Sequence, residues 1–159
     1  MEKKEHRAEI SHLLCREIQA PLVSALIQGF AREIGENKAL AIAQDVIRED
    51  AILSGKSLAE KYSGNSLEVL LQIVEEVWAK DETMDIQNIK LTEQTLHFDV
   101  TSCGYAKMYE RLGIQDLGYL LSCSRDFPFM DGFNPEIELI RTQTIMEGAE
   151  YCDFRYQKK

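Results

Sequence analysis

The chain has 159 residues, 45% of them hydrophobic and 28% charged, and carries a net charge of -9 at pH 7. That length suits a single domain, 1–159, with a sizeable core, and the acidic balance argues against nucleic acid or an anionic membrane surface as a partner, since both are held by Lys and Arg. No run of ~18 apolar residues occurs and the charged start Met1 to Arg7 leads into no signal-like apolar segment, so a cytoplasmic protein with its four cysteines as thiols is expected.

In chain order, residues 1–81 read as helical. From 8 to 34, Ile10, Leu14, Ile18, Leu22, Leu26, Phe30 and Ile34 recur at a spacing of four, flanked by Leu13 and Ala25, and predict one apolar stripe on a helix. Pro21 is expected to kink or split it. Cys15 lies beside Leu14 and reads as a small packing residue. A second helix follows Asn37 with Leu40, Ala43, Val46, Ile47 and Ile52, weakened at Ser54-Gly55. A third is opened by Asn65 as a cap with Glu68 three residues on, and buries Leu67, Leu70, Leu71, Val74 and Trp78.

Near residue 82 the period changes to two. Ile86 to Leu91 and Leu96 to Thr101 predict a hairpin turning near Glu93-Gln94. Residues 103 to 121 return to helix in two pieces separated by Gly113, and Phe127-Pro128 to Asn134-Pro135 reads as a loop. A third strand from Ile137 to Ile145 and a fourth from Tyr151 to Tyr156 are joined by a turn at Glu147-Gly148-Ala149. The expected fold is α+β, with the N-terminal helices packed on one face of a small antiparallel sheet and the chemistry in the sheet-containing part, 82–159.

The candidate site residues cluster in that last part: Cys103, Cys123, Asp126, Asn134, Arg141, Thr144, Cys152, Asp153 and Arg155. Thiols, carboxylates and guanidinium groups among apolar residues are costly to bury unless paired or used. Strand alternation puts Asp153 and Arg155 on one face and Cys152 and Phe154 on the other. Arg141 then either pairs with Asp153 across the strands, fixing register, or joins Arg155 in gripping a ligand carboxylate. Cys103 at a strand-to-helix junction and Cys123 three residues before Asp126 are either packing residues or thiols in contact with a ligand. His97 with Asp99 two residues away reads as a solvated pair or as a base with its orienting carboxylate. A zinc site of Cys103, Cys123 and Cys152 lacks any C-x-x-C or H-x-x-x-H spacing, so no metal is expected, and no other cofactor is indicated.

An ordered set of short motifs goes further: Phe98-Asp99-Val100-Thr101-Ser102-Cys103, Tyr105-Ala106, Leu112-Gly113, Leu121-Ser122-Cys123-Ser124-Arg125-Asp126, Gly132-Phe133-Asn134-Pro135, Leu139 to Thr144, Gly148 and Cys152-Asp153-Phe154-Arg155. Together, over residues 84 to 157, they resemble the L-2-amino-thiazoline-4-carboxylic acid hydrolase family. The resemblance implies a small-molecule carboxylate substrate whose five-membered ring is opened at C2 to give N-carbamoylcysteine. The leaving thiol, with a pKa near ~8.5, needs less acid assistance than an amine. That chemistry calls for a base for water, here Asp126, with Asn134 or Thr144 as a donor to charge on the C2 substituents, and Arg141 or Arg155 on the carboxylate. Cys123, then Cys103, would be the thiol nucleophile if water is not activated directly. The competing expectation is a non-catalytic module that holds the same kind of ligand without turnover.

Overall fold

The computed structural model of the chain describes residues 10–159, so the charged start and the first two residues of the expected first helix, 8 and 9, lie outside the described residues. Two long helices lead, α1 (His12–Ile34) and α2 (Glu36–Lys61), followed by α3 (Leu67–Ile73), which continues into a π-helical turn at Val74–Trp78. The sheet is built from β1 (Met84–Leu91), β2 (Thr95–Cys103), β3 (Ile137–Ile140) and β4 (Cys152–Lys158) in the order β1-β2-β4-β3, every neighbouring pair antiparallel. Between β2 and β3 lie α4 (Gly104–Arg111), α5 (Gly118–Leu121) and α6 (Asp126–Phe133). The fold is α+β, with helices against one sheet face. Leu96, Phe98, Val100, Cys152, Phe154 and Tyr156 supply that face of the core, and α3, α4 and α6 add Leu70, Ile73, Tyr109 and Phe133.

Four local expectations are corrected. Pro21 does not split α1, which runs as one helix from His12 to Ile34. The cap of α3 is Ser66, whose hydroxyl accepts the Val69 N–H at 3.3 Å, while Asn65 instead offers its carbonyl to Asn134 Nδ2 at 2.9 Å. Residues 126–133 form a helix rather than a loop, because Pro128 sits in its first turn, where an N–H would have no intrahelical partner. The third strand stops at Ile140, since the Asp153 carboxylate accepts the N–H groups of Thr142 and Gln143, both at 2.9 Å, in place of a strand neighbour.

The largest correction concerns which side of α1 is buried. Ala20, Ser24 and Ile27 face inward, whereas Leu14, Ile18, Leu22, Leu26 and Phe30 are all exposed. A spacing of four drifts about 40° per step around a helix of 3.6 residues per turn, so the stripe winds round α1 instead of holding one face.

α2 passes through Ser54-Gly55 without breaking, and tertiary packing gives the reason. A Cβ on Gly55 would collide with the backbone of Phe129 and Phe133, and one on Gly132 with the Ile52 carbonyl. Two glycines thus let α2 and α6 cross backbone to backbone, and this close crossing sets the start of α6 beside α2.

Candidate functional site

Between the N-terminal half of α1, the C-terminal half of α2 and the inner sheet face lies a cavity of about 550 Å³, within the usual range for a small-molecule site. Its walls are mostly apolar: Leu58, Val77, Trp78, Phe98, Phe129 and Phe154. Phe98 and Phe154 stack at 4.9 Å between ring centroids, and Trp78 meets Phe129 edge-on at 5.0 Å. The polar groups come from several elements, α2 among them with Asp50, Ser54 and Ser57. α1 brings His12, Cys15, Arg16 and Gln19; the β2–α4 junction brings Cys103 and Tyr105; the turn into α6 brings Ser122, Cys123, Arg125 and Asp126, with Arg141 and Cys152 from the sheet.

Asp126 and Arg141 form an ion pair in this wall, and the other Arg141 terminal nitrogen donates to the Cys123 carbonyl at 3.0 Å. The Arg141 side chain is only 2% exposed, and its guanidinium carbon stands 5.1 Å from the ring centroids of both Phe127 and Phe154. Burial lifts the Asp126 carboxyl above the ordinary carboxylate range, against the opposing charges of Arg141, Arg125 and Arg16. A carboxylate so raised is a stronger base than one in water.

The thiols are held as thiols. Burial, then the nearby Asp126, pushes Cys123 far up. Cys152 is pushed up to about 11 by burial, although its sulfur accepts the Ile145 N–H at 3.2 Å. For Cys103, at the start of α4, burial outweighs the Ala106 and Tyr105 N–H groups that favour the thiolate, so the thiol's pKa is raised. All four cysteines are free, and among the described residues no group of three or more His, Cys, Asp or Glu side chains is arranged to hold a metal ion.

The candidate residues divide by position. Cys103, Cys123, Asp126, Arg141 and Cys152 meet at the cavity, and Cys15, read as packing, joins them. Asn134, Thr144, Asp153 and Arg155 do not line it. Asn134 braces the end of α6, its Oδ1 accepting the Glu136 N–H at 3.0 Å. Thr144 is buried and caps the short turn Ile145–Glu147 through its hydroxyl. Asp153 accepts the Thr142 hydroxyl at 2.6 Å as well as the two backbone groups named above. Arg155 donates to Asp99 at 2.6 Å and to the Phe98 carbonyl at 2.7 Å. Both readings of Arg141 are therefore corrected. It neither meets Asp153 nor stands beside Arg155, because β3 has ended and residue 141 turns toward the helices while Asp153 and Arg155 alternate away from Phe154.

Two residues on α1 were missed by sequence reasoning. Arg16 makes no ion pair among the described residues; its terminal nitrogens reach Gln19 Oε1 at 3.2 Å and His12 Nε2 at 3.5 Å, and its Nε is buried without a hydrogen-bond partner. His12 bonds the Tyr105 hydroxyl at 2.8 Å through Nδ1, and burial together with Arg16 and Arg125 lowers its pKa to about 4, so it is neutral at pH 7. Arg125, which also lines the cavity, is paired with Asp50. The signal in the sequence was a cation four residues before Ala20, on the side that Ile27 marks as buried.

A search of curated proteins finds no match. Among solved structures, the chain is similar to a trafficking protein particle complex subunit 3 from Naegleria fowleri, covalently bound to palmitic acid, with a TM-score of 0.52 at 10% identity over 92% of this chain and 96% of that one. At that identity the likeness is one of fold. The family model for L-2-amino-thiazoline-4-carboxylic acid hydrolase matches residues 15–156, a span running from the cavity-lining Cys15 and Arg16 to the end of the sheet. The chain belongs to the L-2-amino-thiazoline-4-carboxylic acid hydrolase family.

Proposed function

We propose that the cavity binds a small cyclic thiazoline carboxylate and opens it by hydrolysis, with Asp126 as the base. The observation that carries this reading is a carboxylate of raised pKa, fixed by Arg141, in the wall of a largely apolar cavity that also holds an arginine without a carboxylate partner. Arg16 is the ligand's anchor: its buried Nε is a donor awaiting an acceptor, and a guanidinium suits a carboxylate. Asp126 takes a proton from water as the oxygen adds to C2. That proton passes to the ring nitrogen, whose double bond to C2 is lost on addition; the C2–S bond then breaks as the C2 hydroxyl becomes a carbonyl, and the hydroxyl proton goes through Asp126 to the departing sulfur, which gives an N-carbamoylcysteine product with a free thiol. Thiols held protonated favour water over a cysteine as the nucleophile. Four free cysteines agree with action in a reducing compartment such as the cytoplasm.

A second reading, binding without turnover, is favoured by the size of the cavity, since a five-membered ring with one carboxylate fills only part of about 550 Å³. Thermal shift with L-2-amino-thiazoline-4-carboxylate, followed by measurement of released thiol, separates the two. Stabilisation with thiol release supports the hydrolase and stabilisation without it the binding module. Absence of both removes the thiazoline as ligand. Arg16→Lys is expected to weaken binding by about 1–3 kcal/mol, the scale of a charge-assisted hydrogen bond.

A further inference from the structure

The cavity follows α2 for two turns. Asp50, Ser54, Ser57 and Leu58 all line it, and at the rise of a helix Asp50 and Leu58 stand about 12 Å apart along the axis. The charged groups gather at the Asp50 end: Arg125 pairs with Asp50, Arg141 with Asp126, and Asp126 feels the charges of Arg125 and Arg16 as well. The Leu58 end is apolar. Tyr62, one turn beyond Leu58, donates to Glu76 at 3.0 Å, which sets the turn carrying Val77 and Trp78 against this end of α2. Phe129 lies beside Gly55 and meets Trp78 edge-on, so it closes the same end.

A bare thiazoline carboxylate occupies only the charged end. With its 2-amino group it has about nine heavy atoms; at the ~30 Å³ that liquid water gives each molecule these take about half of the cavity's 550 Å³, and at ordinary bond lengths they span about 6 Å. The space left over is apolar, and water finds few partners there.

We propose that the substrates of this site are thiazoline-4-carboxylates carrying a phenyl-sized apolar group at C2, and that the products are N-acylcysteines. The proposal rests on the reading of the cavity as a thiazoline carboxylate site. In such a ring C2 and C4 stand on either side of the nitrogen, so a C2 substituent points away from the C4 carboxylate. With the carboxylate on Arg16 and C2 near Asp126, the room for the substituent is the end formed by Leu58, Val77, Trp78 and Phe129, where burial of an aromatic ring is favourable. Charge agrees with this. Among the lining residues three arginines, Arg16, Arg125 and Arg141, face two carboxylates, Asp50 and Asp126, each already paired. The excess of one positive charge matches a monoanion, and no carboxylate is left over for a basic amino group at C2. The chemistry is that of the parent ring: water adds across the C2–N double bond, its oxygen becomes the amide carbonyl, the C2–S bond breaks, and its two protons end on nitrogen and sulfur.

The test compares L-2-phenyl-, L-2-methyl- and L-2-amino-thiazoline-4-carboxylate on the full chain, with affinity by calorimetry and kcat/KM by released thiol, each rate divided by that of the same compound in buffer alone. The 2-phenyl compound is expected to exceed the 2-methyl compound by ~10-fold or more, since even one methylene in an apolar pocket discriminates by ~10–200-fold. Leu58→Trp and Val77→Phe fill the apolar end, and each is expected to lose most of that ratio, which does not depend on the fraction of protein folded. Turnover of the methyl and amino compounds with no preference for phenyl overturns the proposal and leaves the hydrolase reading standing. A preference for phenyl that both filling variants retain overturns it too. Tight binding of the phenyl compound without thiol release supports the ligand class and removes the hydrolase. Binding of none of the three overturns both.

Discussion

Arg141 and Asp126 come from opposite ends of the β3 region and the turn into α6, yet they pair within the cavity wall, and the guanidinium's second contact is the Cys123 carbonyl. One arginine therefore holds both the candidate base and the turn that carries it.

Removing the cation leaves a carboxylate that is 24% exposed without its charged partner, which costs about 1–3 kcal/mol. Arg141→Met is expected to destabilise the protein by that amount in urea denaturation. Adding Asp126→Asn should recover a large part of the loss, because the charge that needed compensation has gone. Additive effects of the two substitutions would show that they are not coupled.

Turnover should depend on pH through Asp126. A base acts when deprotonated, so activity is lost as pH falls through its pKa, and burial places that limb above the ordinary carboxylate range. Asp126→Asn is expected to abolish turnover, whereas Cys123→Ala should retain most of it, since that thiol is held protonated. A covalent adduct on Cys123 that forms and decays at the rate of turnover would reverse the assignment of the nucleophile.

His12 makes stability pH-dependent in a defined window. Its pKa is about 4 in the folded chain against 6.5 for an unperturbed histidine, so between these values the unfolded chain binds more protons. The contribution is intact above about 6.5, declines as pH falls and is fully lost below about 4. The melting temperature of His12→Gln should fall less steeply across that window than that of the wild type. Parallel curves would mean that His12 is not buried as a neutral ring.

Gly132→Ala tests the α2–α6 crossing. Its Cβ would meet the Ile52 carbonyl, which is backbone and cannot move aside alone. Overpacking of this kind costs roughly 1–3 kcal/mol or more. Gly113→Ala has open space around its Cβ and pays only for its φ of +69°, so it should be the milder change.

The sequence by itself determined the elements whose signal is local: the β1–β2 hairpin, the division near residue 82, the antiparallel sheet with helices on one face, and the ordered motifs that carry the family resemblance. Alternation of side chains along a strand needs no knowledge of the partner, and it correctly set Cys152 and Phe154 apart from Asp153 and Arg155. Only the tertiary structure decided which side of α1 is covered, because a four-residue spacing resembles a face over two turns and departs from it over six. It also decided the fate of the two arginines. Arg141 follows the last residue of β3, where the strand's alternation no longer governs direction, so its turn toward Asp126 depends on Asp153 having claimed the backbone of Thr142 and Gln143. The cavity's α1 wall, with Arg16 and His12, was illegible for a related reason. They lie about 90 positions before Tyr105, the partner of His12, and become part of the site only when α1 packs against α2 and α4.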